Sequence, residues 1–235
     1  MFNKKPIIKF GSMYPFLEIP SSAKRHVPDW YKKSPKFIDN GSCPVVATGE
    51  TESNLGVKTC IPFLDSLTTG YIATLWQDVK VEIINGNTEI TWPTEPSVLN
   101  GRSPRGMHTL PIPHGHSDAQ YLWLSPFVIQ TPPGYSVMIS HPFNRFDLPF
   151  TTLSAVVDSD GILQAGHMPF YLKEGFEGVI EAGTPIYQIV PFKREPWSSK
   201  EDPSLKEANK KRQFESTRKL MGDYKNRIWS RKTYD

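Results

Sequence analysis

Two histidines separated by one residue, His114 and His116, are the side chains whose types and spacing are most typical of a metal site. In an extended chain, residues two apart project from the same side, and Asp118 and Gln120 would continue that row. Imidazole nitrogens and carboxylate oxygens are common ligands of transition metals. The pattern therefore indicates half of a metal site if these residues lie on a strand.

The flanking residues favour a different interpretation of the same histidines. Pro111 and Pro113 cannot donate backbone hydrogen bonds, so residues 111–116 suit a turn better than a central strand. In a surface loop, both imidazoles would serve as ordinary hydrogen-bonding groups. The two interpretations are distinguished by whether a third ligand faces the pair.

Under the metal interpretation, the paired imidazoles resemble the first metal-binding segment of cupin-type barrels. The stretch from Pro132-Pro-Gly to His141 is similar to the second such segment. The resemblance implies that His141 joins His114 and His116 around a transition-metal ion.

The segment from Ile129 to Glu195 contains a longer ordered set of motifs. Proline–glycine turns lead into apolar strands, a Val-Val-Asp ending at Asp158 follows, and an Ala-Gly turn then leads into a strand that contains Gln188. In this order the segment resembles the β-clip barrel of dUTPases and dCTP deaminases.

That resemblance implies a nucleotide site that uses Mg²⁺. Asp158 would orient the attacking water, and Gly183 and Gln188 would form the turn that holds the phosphates or the base. Asn144 and Arg145 stand where that family has its phosphate-binding stretch. Under this resemblance the catalytic candidates are Asp158 and Arg145, and the ligand-binding candidates are Asn144, Gly183 and Gln188.

The sequence is also similar to a family of tailed-phage proteins with no assigned chemistry, over most of residues 28–197. This resemblance implies a phage-encoded product, such as a virion or assembly component. It depends on the segments Asp29-Trp-Tyr-Lys-Lys, Pro62-Phe-Leu-Asp-Ser-Leu-Thr-Thr-Gly-Tyr, Pro132-Pro-Gly-Tyr-Ser, His141-Pro-Phe-Asn-Arg-Phe-Asp-Leu-Pro-Phe, Val156-Val-Asp-Ser-Asp and Gly183-Thr-Pro-Ile-Tyr-Gln.

The elements that must position these residues are expected to be strands. The chain of 235 residues contains 22 prolines and 12% aromatic residues, which favours short strands and many turns. Asn85-Gly86 between two alternating segments predicts a type I′ hairpin. We find no helical period between 57 and 195, so residues 57–197 are predicted to form a single all-β core of the sandwich or barrel type, similar to a β-clip. The predicted strands are Val79–Ile83, Thr88–Trp92, Trp123–Gln130, Tyr135–His141, Leu153–Val157, Gly178–Glu181 and Pro185–Pro191.

Two different segments flank this mainly β core. Residues 1–56 are predicted to form an irregular arm that wraps over the core. Residues 198–235 are predicted to contain a basic amphipathic helix over 205–229, because Ser204 and Glu207 form a capping box before an apolar stripe. Residues 204–235 hold 10 Lys/Arg and 4 Asp/Glu, whereas the rest of the chain is mildly acidic.

Three hypotheses about function follow. The first is a structural or assembly binding protein that works as a homo-oligomer or with other phage structural proteins. The second and third are the nucleotide enzyme and the cupin-like metalloprotein. The basic helix either contacts nucleic acid through its cations or packs its apolar stripe on its own domain or a neighbouring subunit. No apolar run spans a bilayer, so we expect no membrane contact and a location in the host cytoplasm or the virion. Cys43 and Cys60 are interpreted as reduced, buried thiols.

Overall fold

The computed structural model describes residues 5–37, 56–102, 110–161, 166–217 and 224–235, and the side chains of all of these except 213–217. Within these ranges the protein is mainly β, which confirms the predicted fold class. The described strands are β1 (Lys9–Ser12), β2 (Ser21–Ser22), β3 (Tyr71–Thr74), β4 (Val79–Ile84), β5 (Asn87–Thr91), β6 (Leu99–Gly101), β7 (His116–Trp123), β8 (Phe127–Gln130), β9 (Tyr135–Ser140), β10 (Phe150–Thr152), β11 (Ala155–Val157), β12 (Met168–Lys173), β13 (Gly178–Ile180) and β14 (Pro185–Lys193).

The described strands pair in four antiparallel sheets. A five-stranded sheet has the order β11-β9-β14-β3-β2, and a four-stranded sheet has the order β10-β12-β7-β6. A three-stranded sheet has the order β13-β4-β5, and β1 pairs with β8 alone. No closed barrel is formed within the described ranges, and the closer likeness to a β-clip barrel stays a prediction.

The β4–β5 hairpin confirms the turn that was predicted from its sequence. Asn85 and Gly86 have φ angles of 52° and 80°, and a type I′ turn requires positive φ angles at both of these positions. Val79 and Val81 are buried on one face of β4, whereas Lys80 between them is exposed. Local turn chemistry and alternation were therefore sufficient to place this hairpin.

Strands β7 and β12 lie at the centre of the four-stranded sheet, although β7 was predicted only at its last residue, Trp123, and β12 was not predicted. They bring together Trp123 and Phe170, whose rings stack with centroids 3.7 Å apart, and Phe150 packs edge-on against both. Since most of β7 has no simple apolar alternation, the sequence pattern does not reveal it. These aromatic rings form the middle of the core.

One helix corrects the prediction that no helix lies between 57 and 195. Residues Ile61–Thr68 form α2, and a 3₁₀ turn over Val57–Thr59 precedes it. Pro62 is tolerated because it lies in the first turn, where its missing N–H has no helical partner. With only two turns, the helix is too short for its period to be recognised.

The described residues group into two compact units, each made of separate stretches. The first comprises Met1–Pro28, Ser66–Arg194 and Tyr234–Asp235, and it contains the sheets. The second comprises Asp29–Asp65 and Glu195–Thr233. The predicted division was instead into three consecutive segments, residues 1–56, 57–197 and 198–235.

The second unit contains helix α1 (Asp29–Lys33), helix α3 (Ser204–Thr217) and a π-helical turn over Tyr224–Ile228. The ring of Tyr31 is buried and stacks on that of Phe63. Helix α3 begins at Ser204, and its described side chains are all exposed. The predicted capping box does not form, because the Ser204 N–H and hydroxyl donate to Asp202 and Glu207 pairs with Lys210. Residues 218–223 and the side chain of Phe214, on which the predicted apolar face depends, lie outside the described residues.

Two smaller observations complete the description. Cys60 is a free thiol and is exposed, which corrects its interpretation as buried, and Cys43 lies outside the described residues. No described helix is both long enough and apolar enough to cross a lipid bilayer.

Candidate functional site

His116, the first residue of β7, has both ring nitrogens bonded to protein groups. Its Nδ1 lies 3.0 Å from the carbonyl oxygen of His114, and its Nε2 lies 2.8 Å from Oγ1 of Thr151. A carbonyl oxygen only accepts, so Nδ1–H donates to it and Nε2 accepts from the Thr151 hydroxyl. The imidazole has no ring nitrogen left for a metal in this arrangement.

His141 follows β9, and both of its ring nitrogens are also hydrogen-bonded to protein groups. Its Nε2–H donates to the carbonyl oxygen of Arg145 over 3.0 Å, and its Nδ1 accepts the Thr152 N–H over 3.3 Å. Burial lowers the pKa of this imidazole, which favours the neutral ring that both bonds require. Among the described residues, no three His, Cys, Asp or Glu side chains form a metal-ligand group, so the structure does not bring His114, His116 and His141 together.

The predicted ligand-binding residues Gln188 and Asn144 do lie close together, in a cluster that we name the Gln188 latch. The Gln188 side chain is 1% exposed. Its Oε1 accepts the Phe143 N–H over 2.9 Å, and its Nε2 donates to the carbonyl oxygens of Ser66 and Thr69. Asn144 donates from Nδ2 to Oγ of Ser66 over 2.7 Å.

The Gln188 latch ties the 142–145 turn and the end of α2 to the centre of the five-stranded sheet. Asn144 has a φ of 60°, a left-handed conformation that asparagine tolerates better than most residues. The neighbouring cavity has a volume of about 10 Å³, enough for about one water molecule. The amide groups of Gln188 are therefore used to hold the fold together.

Arg145, predicted as catalytic, lines that same small cavity, but its guanidinium is engaged with a neighbour. Its Nε and Nη2 donate to the carboxylate of Asp147 over 2.9 Å each, in a bidentate pair. The Arg145 side chain is mostly buried. Such a pair fixes the guanidinium in one orientation.

Asp158, the predicted catalytic acid, belongs to a second cluster, which we name the Arg194 cluster. The Asp158 carboxylate accepts a hydrogen bond from Oγ of Ser136 over 2.6 Å and lies 3.2 Å from Nη1 of Arg194. Arg194 also donates to Asp160, which accepts the Gly134 N–H over 2.8 Å. The hydrogen bond from Arg194 is the main cause that lowers the pKa of Asp160 to about 2.

The Arg194 cluster explains why two of the sequence motifs occur together. Pro132-Pro-Gly and Val156-Val-Asp-Ser-Asp form two turns, and Arg194 at the end of β14 joins them. Oγ1 of Thr131 and Oγ of Ser159 add a buried hydrogen bond of 2.8 Å between the same turns. Asp158 does not line the cavity beside Gln188, and neither does Gly183, so the predicted set divides among three places.

Gly183 lies in the turn between β13 and β14 with a φ of 85°. Its N–H donates to the Leu75 carbonyl oxygen over 2.7 Å, and the preceding Ala182 N–H donates to Asp78. The left-handed backbone accounts for the glycine.

An open cavity in the first unit was not indicated by any motif, and we name it the Trp76 groove. It has a volume of about 580 Å³, within the range of ligand pockets. Its apolar lining includes Met13, Tyr14, Trp76 and Pro126, and its polar lining includes Glu95. The Trp76 indole N–H is shielded from solvent and has no hydrogen-bond partner among the described residues.

Glu95 is the acidic group of the Trp76 groove. Its carboxylate accepts a hydrogen bond from Oγ of Ser97 over 3.1 Å, and no cationic side chain is paired with it within the described ranges. The turn that presents Glu95 is held by Gln77, whose Nε2 donates to the Thr94 and Pro96 carbonyl oxygens. The groove therefore offers an apolar surface with a single negative charge on a fixed turn.

A second, more polar cleft of about 400 Å³ lies beside β7 and β12 in the first unit. Its lining includes His116, Asp118, Lys173 and Glu174. The Lys173 ammonium donates to the Phe146 carbonyl oxygen, so this cation is already used within the fold. His116 thus borders a cleft, but with its ring nitrogens occupied as described above.

Comparisons with known proteins leave these sites to be interpreted from their geometry. No protein-family model matches the sequence, and no curated protein matches it significantly.

Proposed function

We propose that this protein is a structural or assembly component that acts through contacts between copies of itself, and that it is a phage product carried in the virion. The observation that carries the proposal is the N-terminal segment of the first unit. Large apolar side chains of this segment face solvent, although its backbone is held against the sheets. The resemblance to tailed-phage proteins supports the proposed source.

The exposed apolar side chains of this segment lie between positions 7 and 19. Ile7, Met13, Phe16 and Ile19 are between 47% and 70% exposed. The backbone beneath them is fixed, because β1 pairs with β8 and the Met13 N–H donates to the Pro126 carbonyl oxygen over 2.8 Å. These apolar side chains are therefore presented on a held segment.

Isolated apolar side chains on a protein surface are ordinary and need no explanation. Four large ones within thirteen residues of a fixed segment favour an interface, because burying them against another surface removes apolar area from water. A second copy of the chain is the partner that is always present. Most soluble oligomers are of this kind.

The two enzyme hypotheses receive less support from the geometry. A nucleotide site with Mg²⁺ needs Asp158, Arg145 and Gln188 to face one ligand, but each of them is bonded to protein groups. A transition-metal site needs free ring nitrogens on His116 and His141, and both rings are occupied. The binding hypothesis needs no rearrangement of these residues.

Helix α3 supports a second contact, with nucleic acid. Lys206, Lys210, Lys211 and Arg212 are exposed on this helix, and Glu207 pairs with one of them, Lys210, over 2.8 Å. Cations on an exposed helix attract phosphates without reading a sequence. Binding of a labelled 20-mer single-stranded DNA should weaken steeply with salt, and the double variant Lys211→Gln/Arg212→Gln should bind more weakly.

Light scattering after size exclusion tests the main proposal. The protein should show a concentration-dependent mass above that of one chain. The double variant Ile7→Ser/Phe16→Ser should shift the mass toward the monomer, because it removes exposed apolar area without touching the core. Phe146→Ser is the matched control, since Phe146 is 79% exposed but lies outside the N-terminal segment.

Two results would contradict the proposal. A wild-type mass of one chain at every concentration would exclude self-association. Absence of the protein from purified virions, with the protein found only in the lysate, would exclude the virion role.

A further inference from the structure

Trp197 is the most exposed large apolar side chain among the described residues, at 89%. It lies in residues 194–202, which form neither helix nor strand and are all exposed. Tryptophan is enriched among the residues that contribute most to protein interfaces, because it buries a large area with few rotatable bonds. An indole held out in water is therefore a candidate anchor.

Pro196, the residue before this tryptophan, restricts the conformations that the chain can adopt. Pro196 has a fixed φ and favours an extended conformation for Glu195 before it. A segment that is already extended loses less conformational entropy when it binds. Proline-rich extended segments characteristically bind grooves lined by aromatic side chains.

The Trp76 groove has the features that such a segment needs. Tyr14, Trp76 and Pro126 supply an aromatic and proline lining, and the cavity of about 580 Å³ has room for an indole and its flanking backbone. Met13 is shared between this groove and the exposed N-terminal segment. The groove is thus continuous with the surface that the proposed function assigns to self-association.

Charge adds a second point of correspondence. Glu95 in the groove has no cationic partner among the described residues, and Lys200 lies three residues after Trp197. Three residues of extended chain span about 10 Å. An indole packed in the groove would therefore leave the Lys200 ammonium able to reach a carboxylate at its margin.

We propose that residues Pro196–Lys200 of a second copy bind in the Trp76 groove, with the Trp197 indole against Tyr14 and Trp76 and with Lys200 facing Glu95. This inference rests on the proposed function, and it names the partner segment of that self-association. Each chain carries one groove and one Trp197 segment, so two copies can exchange their segments reciprocally in a closed dimer, or many copies can join head to tail. Heterologous contacts join copies head to tail and generate rings or filaments.

Fluorescence polarisation with a labelled peptide tests the recognition directly. The peptide has the sequence of residues 194–202, Arg-Glu-Pro-Trp-Ser-Ser-Lys-Glu-Asp, and is titrated with full-length Trp197→Ala protein, whose own segment has lost the anchor. We expect saturable binding, and binding at least about tenfold weaker for the peptide carrying Trp197→Ala. Equal binding of the two peptides would overturn the inference.

A charge exchange locates the binding site. Glu95→Lys in the protein should weaken binding of the wild-type peptide severalfold, and the peptide carrying Lys200→Glu should restore it. No change in affinity with Glu95→Lys would overturn the placement in this groove. Because Glu95 is exposed on a turn, the substitution leaves the core unchanged.

Mass measurements separate this inference from the proposed function. Trp197→Ala should reduce self-association, whereas Phe146→Ala should not. If wild-type protein associates and Trp197→Ala associates equally well, the inference is wrong and the proposed function stands. If wild-type protein remains a monomer, the proposed function is wrong, and specific peptide binding would still support recognition of Trp197 by the groove.

Discussion

The Gln188 latch and the Arg194 cluster perform the same mechanical task with different chemistry. Each ties turns to the five-stranded sheet. The latch does so with a neutral amide that is almost completely buried and makes three hydrogen bonds to backbone groups. The cluster does so with a guanidinium that remains partly exposed and is paired with two carboxylates.

This difference predicts that substitutions in the two clusters change the stability of the fold by different amounts. A buried polar group that loses its partner suffers the full cost of desolvation, whereas an exposed ion pair is screened by water and salt. Disturbing the Gln188 latch should therefore destabilise the fold strongly and independently of salt. Disturbing the Arg194 cluster should have a smaller effect that depends on salt and on pH.

The largest effect is expected for Gly70→Ala, next to the Gln188 latch. Gly70 has a φ of 74°, and a Cβ there would overlap the carbonyl oxygen of Ile189 in β14. We expect a loss of about 3–5 kcal/mol in the free energy of unfolding, from steric overlap and backbone strain together. Urea denaturation measures it.

Gly86→Ala is the matched control for this variant. Gly86 also has a positive φ, but no neighbouring atom lies within 4 Å of the position that an alanine Cβ would take there. It should cost only the backbone strain, about 1–2 kcal/mol. Equal losses for the two variants would show that crowding against Ile189 contributes nothing.

Gln188→Leu should follow, with a loss of about 2–4 kcal/mol. The substitution keeps the side-chain size but removes the hydrogen bonds that Gln188 makes to the Phe143 N–H and to the Ser66 and Thr69 carbonyl oxygens. Gln120→Leu is the control, because this other buried glutamine makes one bond, to Tyr171, and its Oε1 has no partner among the described residues. A larger loss for Gln120→Leu would contradict the comparison.

A pH effect is expected from His141, which borders the latch. Burial lowers its pKa. The hydrogen bond to the Arg145 carbonyl oxygen and the charge of Asp147 oppose this effect, and the charges of Arg145 and Lys173 add to it. As the pH falls below about 6.5, the unfolded chain takes up the proton before the folded protein does, so stability falls with falling pH. Urea midpoints measured from pH 8 to pH 5 should show this decline.

His141→Gln should flatten that decline, because a glutamine cannot take up the proton. Part of the decline should remain, since burial also lowers the pKa of His26. An unchanged slope in the variant would show that His141 does not contribute.

The smallest effect is expected for Arg194→Ala in the Arg194 cluster. The lowered pKa of Asp160 contributes stability above its ordinary value of 3.8, and that contribution is lost as the pH falls toward 2. Denaturation midpoints at neutral pH should fall less than for Gln188→Leu, and the difference should shrink in 1 M salt. A loss of stability that is independent of salt and as large as that of Gln188→Leu would contradict the difference between the two clusters.

The parts of the fold that the sequence predicted correctly depend on local chemistry. The β4–β5 hairpin follows from Asn85-Gly86. The start of α3 was predicted near Ser204, although Asp202 rather than Glu207 accepts the Ser204 N–H. Strand β7 and helix α2 depend on contacts instead: β7 carries a mixed polar and apolar sequence that only its neighbours make into a central strand. Their lengths and patterns alone do not specify them.

In the candidate site, too, some features follow from local sequence motifs and others depend on contacts between distant residues. The order of motifs placed Asn144 and Gln188 near each other, as the structure does. Their partners could not be predicted, because Ser66 is 122 residues from Gln188 in the chain and has no special sequence signal. The Trp76 groove was missed altogether, because its lining comes from loops as distant in the chain as Tyr14, Glu95 and Pro126.

The tip of the β4–β5 hairpin has a practical consequence for studying assembly. Asn85 and Gly86 are exposed, and the tip is held by its own two strands rather than by the core. A short epitope inserted there should leave the sheets intact. The hairpin thus offers an internal attachment point through which individual copies can be counted while both the N-terminal segment and the Trp197 segment remain unmodified.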